Sequence, residues 1–144
     1  FSRTREEGFG PEAKRRIILG TYVLSSGYYD AYYKKAKLFQ QKVRAEYDEA
    51  FKMCDVIVTP TAPTAAFKIG ENVHDPLKMY ASDVCTITVN IAGLPALSLP
   101  IGMDHEMPVG MQLIGPHFSE EKLLGIAKEF ETMRGGLCQV ASVV

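Results

Sequence analysis

Two arginines and one aspartate, Arg15, Arg16 and Asp83, are candidate binding residues among the charged residues of this sequence. Arg16 follows Arg15 within an amphipathic stretch, and Asp83 lies between Tyr80 and Val84, just before an apolar stretch. A guanidinium binds a carboxylate through paired hydrogen bonds, and a carboxylate binds an ammonium group. From spacing alone, however, the arginines are typical of a solvated helix face, and Asp83 is typical of a helix N-cap.

A serine pair and the histidines are the other candidates for catalysis. A serine nucleophile needs an adjacent base, and no glycine-flanked elbow surrounds Ser25-Ser26-Gly27. That segment is more typical of a helix end, with serine as a cap and glycine in a left-handed conformation. His74, His105 and His117 have no partner at metal-ligand spacing. The three scattered cysteines argue against a disulfide scaffold or a zinc site and favour a reducing compartment.

The segment from Tyr28 to Lys35 interleaves tyrosines with lysines, a pattern that can stack nucleic-acid bases. Yet Lys and Arg number 16 and Asp and Glu number 17, so the chain has no global field that would attract nucleic acid or an anionic membrane. Inward packing of some tyrosines is therefore the favoured interpretation. No apolar run approaches the roughly 18 residues that a membrane span needs.

Helical periodicity predicts the elements that would position these residues. A helix is predicted from Pro11 to about Ser25, and a long apolar stripe from Tyr32 to Cys54 predicts a second. Asp75-Pro76 begins a further helix, and Ser119 begins the last one, with Leu123, Leu124, Ala127 and Phe130 on its buried side. Residues 83–94 have strand propensity but helical spacing, so we favour a helix that ends at Gly93.

Three short apolar runs predict strands. Asp55–Thr59 is a β-branched run that Pro60 ends, and Ala96–Ile101 and Val109–Ile114 are predicted to pair antiparallel. The turn-rich stretch from Gly102 to Pro108 joins that pair. The order helix, helix, strand, helix, strand, strand, helix predicts an α/β fold with a layered sheet of mixed strand directions.

Several blocks of the sequence resemble those of a known protein family, independently of the hydrophobic periodicity. The long block from Lys14 to Ala36, with the run SSGYYDAYYKKA, closely resembles the family of A subunits of glutamyl-tRNA(Gln) amidotransferases, which are amidase-signature enzymes. The blocks DVIVTPTAP, FKIG, AGLP and PVGMQLIG follow in the order of that family. The turn Asp104–Met107 departs from the family's usual Gly-Leu, and the tail after Met133 has no counterpart in it.

The resemblance implies a mixed-sheet amidase-signature fold with flanking helices, of which residues 1–133 would be the C-terminal part and 134–144 an atypical tail. It also implies a Ser-Ser-Lys triad that releases ammonia from glutamine and lies upstream of this segment. The chain, which opens Phe1-Ser2-Arg3 without an initiator methionine, is therefore expected to be a piece of a longer enzyme. Alone it should lack the nucleophile and show no glutaminase activity.

The same resemblance assigns the substrate-binding residues. Free glutamine carries a carboxylate and an ammonium group, which need a guanidinium and a carboxylate in the pocket. Arg16 and Asp83 match the family's positions for these roles, and Arg15 is the alternative if the register shifts by one residue. Spacing alone favours a solvated helix face for the arginines and an N-cap for Asp83, whereas the resemblance favours a binding role for Arg16 and Asp83.

Partners and cofactors follow from the resemblance in the same way. The expected partners are glutamine, the B and C subunits, and Glu-tRNA(Gln) mainly through the B subunit, with no membrane. No cofactor is expected in this chain, because ATP and Mg are used by the partner subunit. The expected location is the cytoplasm, with an organelle as the alternative. Two other functions stay open, namely a general small-amide amidase and a non-catalytic RNA-binding module.

Overall fold

The computed structural model describes residues 7–25 and 28–135 of the chain. The described residues divide into two compact units between Lys42 and Val43, and each unit is described separately below. The atypical tail predicted for residues 134–144 lies almost wholly outside the described residues, so the division at residue 133 stays a prediction.

Helices make up the first unit. Helix α1 spans Pro11–Val23, with Pro11 in its first turn, where a missing N–H costs nothing. A π-helical turn at Tyr29–Tyr33 then leads into helix α2, Lys34–Ala50, whose second half belongs to the other unit. The predicted stripe from Tyr32 to Cys54 is therefore longer than the regular α-helix. Of its members Val43 is buried and Tyr47 is half-buried.

The second unit is built on an antiparallel sheet of three strands in the order β1-β3-β2. Strand β1 spans Ile57–Pro60, β2 spans Ala96–Asp104 and β3 spans Met107–Ile114. The predicted pairing of the last two runs is confirmed, with Leu97 opposite Leu113. The α/β fold class is confirmed by this sheet and the helices that cover it.

The hairpin between β2 and β3 is longer than predicted, because its strands extend into the stretch expected to be a turn. Only His105 and Glu106 lie between them, both with positive φ, 46° and 66°. Two consecutive residues of that kind twist in the same sense as the flanking strands, which lets the strands stay paired up to the turn. A register shift between Pro100 and Gly102 marks a bulge on the way.

Two short helices lie between β1 and β2. Helix α3, Pro76–Ala81, is capped by Asp75, whose carboxylate accepts a hydrogen bond from the backbone N–H of Lys78 at 3.0 Å. Helix α4, Val84–Ala92, ends at the left-handed Gly93, as its helical spacing predicted. Burial of Val89 and Ala92 explains why periodicity overrode the strand propensity of this segment.

Helices cover both faces of the sheet. Successive residues of β3 point to opposite faces. Ile114 packs with Val43, Val89, Ala92 and Leu94 from α2, α4 and the residues that follow. Leu113 packs on the other face with Leu99 and with Leu123 and Ala127 of helix α5, Glu120–Arg134. Leu124, predicted on the buried side of α5, is exposed because it lies one residue further around the helix.

Candidate functional site

Asp83 lies at the junction of α3 and α4, where one helix ends and the next begins. Its main-chain oxygen accepts hydrogen bonds from the N–H groups of Thr86 and Ile87, at 2.9 and 3.0 Å, and thus starts α4. Its carboxylate makes no capping hydrogen bond, and the residue is exposed. The main chain of Asp83 therefore starts α4, while its exposed carboxylate takes no part in capping the helix.

A buried glutamine fixes the first turn of α4 on the sheet. The side-chain nitrogen of Gln112, in the central strand β3, donates to the Thr59 hydroxyl and to the Cys85 carbonyl, both at 2.9 Å. Cys85 lies two residues after Asp83. Sequence reasoning did not single out Gln112, although a polar residue within the apolar run Val109–Ile114 was a signal that could have found it.

A cavity of about 740 Å³ adjoins this junction. It is lined by the loop 60–67, by Ser82 next to Asp83, and by the β2 and β3 residues Ser98 and Gly110. The hydroxyl groups of Thr61 and Ser98 are hydrogen bonded at 2.8 Å, and the Thr61 N–H donates to the Gly110 carbonyl at 3.0 Å. The cavity thus has a mainly apolar wall with a small number of polar groups, as small-molecule sites commonly have.

Arg16 lies on α1 in the first unit. Its Nε donates to Oε1 of Glu12 at 3.0 Å, and Nη1 of Arg15 lies 2.9 Å from Oε2 of the same carboxylate. Both arginine side chains remain more than half exposed, at 64% for Arg16 and 56% for Arg15. Because Arg16 and Asp83 belong to different compact units, their convergence on one ligand stays a prediction.

The serine and histidine candidates have structural roles or lie at the surface. The Ser25 hydroxyl donates to the Tyr22 carbonyl at 2.6 Å, a helix-end contact, while Ser26 and Gly27 lie outside the described residues. His105 is exposed in the hairpin turn. Within residues 7–25 and 28–135, no group of three or more His, Cys, Asp or Glu side chains could hold a metal ion.

The tyrosine-rich segment packs partly on itself. The Tyr28 ring centroid lies 4.3 Å from that of Tyr22 and 6.0 Å from that of Tyr32. The hydrogen bond between Tyr22 and Tyr28 raises the pKa of Tyr22. Lys34 pairs with Asp30 at 2.7 Å, so part of the positive charge of this segment is neutralised locally.

The helices of the described part of the chain are too short or too polar to cross a membrane.

Known proteins match the chain along nearly its whole length. The A subunit of glutamyl-tRNA(Gln) amidotransferase from Caldanaerobacter subterraneus is 57% identical over 131 residues, which are 91% of this chain and 27% of that protein. The protein of the same name from Thermoanaerobacter pseudethanolicus is 59% identical over 128 residues, 89% of this chain and 26% of that protein. The chain thus spans about a quarter of the length of these curated relatives.

Solved structures agree with this match. The crystal structure of the A subunit of glutamyl-tRNA(Gln) amidotransferase from Thermotoga maritima superimposes with a TM-score of 0.70 at 47% identity, over 91% of this chain and 29% of that one. The structure of a serine-to-alanine variant of the Kluyveromyces lactis allophanate hydrolase superimposes with a TM-score of 0.66 at 30% identity, over 84% of this chain and 19% of that one. The resemblance found in the sequence blocks is therefore confirmed. Because the Amidase family model matches residues 1–124, the chain belongs to the amidase family.

Proposed function

We propose that the chain is the C-terminal segment of the glutaminase subunit of a glutamyl-tRNA(Gln) amidotransferase. In this proposal the complete subunit releases ammonia from glutamine, and the ammonia converts Glu-tRNA(Gln) to Gln-tRNA(Gln). The observation that carries the proposal is the identity of 57–59% with A subunits of such enzymes over about nine tenths of the chain.

This segment would bind the two charged ends of glutamine. Arg16, or Arg15 in the shifted register, would hold the carboxylate, for which a guanidinium fork is well suited. Asp83 would hold the ammonium group, and its exposed carboxylate, which caps no helix, supports that role. A neutral amide substrate offers neither a carboxylate nor an ammonium group to these side chains, so the pair favours an amino acid substrate.

The catalytic chemistry would come from elsewhere in the complete protein. The Ser-Ser-Lys triad is proposed to lie upstream of this segment, so the chain alone would be inactive. The proposed partners are the B and C subunits, with Glu-tRNA(Gln) bound mainly by the B subunit. ATP and Mg would serve that partner subunit, and the complex would work in the cytoplasm or in an organelle.

Calorimetric titration of glutamine into the complete subunit tests the pocket. The nucleophilic serine should be replaced by alanine so that glutamine is not consumed. Arg16→Ala and Asp83→Asn should each weaken binding by about 10- to 100-fold, since a charge-assisted hydrogen bond contributes roughly 1.5–3 kcal/mol.

The chain offers a matched control for each variant. Arg15→Ala removes a second arginine that pairs with the same Glu12, and Asp75→Asn alters a helix-capping aspartate eight residues before Asp83. Both controls should keep the affinity of the parent subunit. If Arg15→Ala weakens binding and Arg16→Ala does not, the shifted register is correct. Unchanged affinity in Asp83→Asn would remove Asp83 from the pocket.

A small-amide amidase is the second candidate, favoured by the similarity to an allophanate hydrolase at 30% identity. Hydrolysis of glutamine and of propionamide by the complete subunit separates the two. The amidotransferase proposal expects Asp83→Asn to impair glutamine hydrolysis and to spare propionamide. Equal rates on both substrates in the parent protein would favour the plain amidase.

The RNA-binding alternative has less support, because the Tyr28 ring contacts Tyr22 and stacks on Tyr32, and Lys34 is paired with Asp30. A filter-binding salt series decides the question. A binding constant that is independent of salt concentration is incompatible with phosphate contacts.

A further inference from the structure

We propose that Gln112 is a positioning residue for glutamine recognition, because its side-chain amide anchors the turn that presents Asp83. The inference rests on the proposed function, in which Asp83 holds the substrate ammonium group. It assigns a role to a residue that contacts no substrate itself.

The geometry around Gln112 joins three elements. Gln112 lies in the central strand, opposite Thr59 of β1 and Ser98 of β2. Its side chain crosses from the sheet to the first turn of α4, where it donates to the Cys85 carbonyl, and its second amide hydrogen goes to the Thr59 hydroxyl. Both donors of the amide are thus used, and the residue is only 4% exposed.

An amide at this position has a cost that an apolar residue would avoid. The next two residues, Leu113 and Ile114, are buried and apolar, and a leucine or methionine at position 112 would fill similar space. A buried amide loses its hydration and regains only part of that free energy through its hydrogen bonds. What it adds is direction, since a hydrogen bond fixes the relative position of two elements and an apolar contact fixes it only loosely.

Among the described residues, polar side chains contact helix α4 at its first turn, near its middle and at its C-terminal end, and the Gln112 contact is at the end that carries Asp83. Arg44 donates twice to the Ala92 carbonyl at the C-terminal end, at 2.9 and 3.1 Å. The Tyr47 hydroxyl is hydrogen bonded to that of Thr88 at 2.9 Å, near the middle. Loss of the Gln112 contact would therefore leave α4 in place while releasing its first turn, and a binding group displaced by about 1 Å loses much of its effect.

Kinetics of the complete subunit test this role with Gln112→Met, a change of similar size and shape. We expect KM for glutamine to rise by roughly tenfold, as for a displaced binding group, with kcat nearly unchanged and propionamide hydrolysis unaffected. Tyr47→Phe is the control, because it removes another tether of α4 and should leave KM for glutamine unchanged. Equal loss on glutamine and propionamide would reduce Gln112 to a structural residue and overturn the inference.

A double substitution separates this inference from the proposed function. If Asp83 acts as proposed, Gln112→Met should raise KM in the parent protein but have little further effect in the Asp83→Asn background. An effect of Asp83→Asn with none of Gln112→Met overturns the positioning role alone, whereas no effect of Asp83→Asn removes Asp83 from the proposed pocket and the positioning role with it. Should Gln112→Met not fold, Gln112→Asn, whose amide is one methylene too short to reach both partners, carries the same expectations.

Discussion

At the scale of single residues, the two aspartates that precede helices have different roles. Asp75 and Asp83 each stand just before a helix, and the sequence suggests an N-cap for both. Asp75 caps its helix with its side chain, whereas the Asp83 carboxylate makes no capping hydrogen bond. The difference depends on local backbone geometry, which residue type and spacing do not encode.

Gly110 is a residue whose lack of a side chain the structure requires. A Cβ atom there would lie 2.9 Å from Oγ1 of Thr61 and 3.0 Å from Oγ of Ser98, the hydroxyl pair that lines the cavity. We expect Gly110→Ala to lower the free energy of unfolding of the complete subunit by about 1–3 kcal/mol, the usual cost of overpacking. Urea denaturation measures it.

Gly102→Ala is the matched control, since the same hairpin leaves open space around that Cβ position. It should change the urea midpoint little. Similar midpoints for the two variants would show that the hydroxyl pair can move aside without cost.

At the scale of elements, one exposed ion pair joins the start of the sheet to the last helix. Lys122 of α5 donates to Asp55, two residues before β1, and this contact lowers the pKa of the Asp55 carboxyl. A lowered pKa in the folded state means that the pair stabilises the fold above the unfolded pKa of about 3.9. The contribution disappears as the pH falls through the lower folded value.

Urea midpoints between pH 3 and pH 7 test this linkage. The advantage of the parent subunit over Asp55→Asn should be constant above about pH 5 and shrink below about pH 4. Lys122→Met should abolish the same pH-dependent difference. A difference that grows towards acid pH would contradict the assignment of the ion pair.

Periodicity predicted elements well and their ends less well. For residues 83–94 the helical spacing of apolar residues was a better guide than strand propensity, because Val89 and Ala92 of the helix pack with Ile114 of the sheet. The hairpin was predicted too short, since His105 and Glu106 are not residues that typically form a tight turn with positive φ. A polar residue within the apolar run Val109–Ile114 marks Gln112 in the sequence, but its partner, the Cys85 carbonyl, is fixed by the tertiary structure and by no local pattern.

At the scale of the whole molecule, the described residues include a helix with an exposed apolar surface. Ile17, Ile18 and Leu19 on α1 are 52%, 69% and 58% exposed, and no residue of α1, which is fully described, is buried. Contiguous exposed apolar residues normally pack against further protein. This is in keeping with a chain that spans about a quarter of its relatives' length.

We expect the 144-residue chain, expressed alone, to self-associate, to bind a hydrophobic dye and to show no glutaminase activity. Light scattering, dye fluorescence and ammonia release measure these properties, and the complete subunit serves as the control. Turnover above background in the pure chain would mean that it contains its own nucleophile.

In the proposed pocket, Arg16 and Asp83 hold opposite ends of one glutamine molecule. The most direct measurement compares glutamine, N-acetylglutamine and glutamine α-amide as ligands of the complete subunit, in the parent form and in both variants. N-acetylglutamine should bind the parent weakly and lose little more in Asp83→Asn, and the α-amide should behave in the same way with Arg16→Ala. The proposed pocket is contradicted if Asp83→Asn still binds glutamine as much more tightly than N-acetylglutamine as the parent does. It is equally contradicted if Arg16→Ala keeps the parent's preference for glutamine over the α-amide.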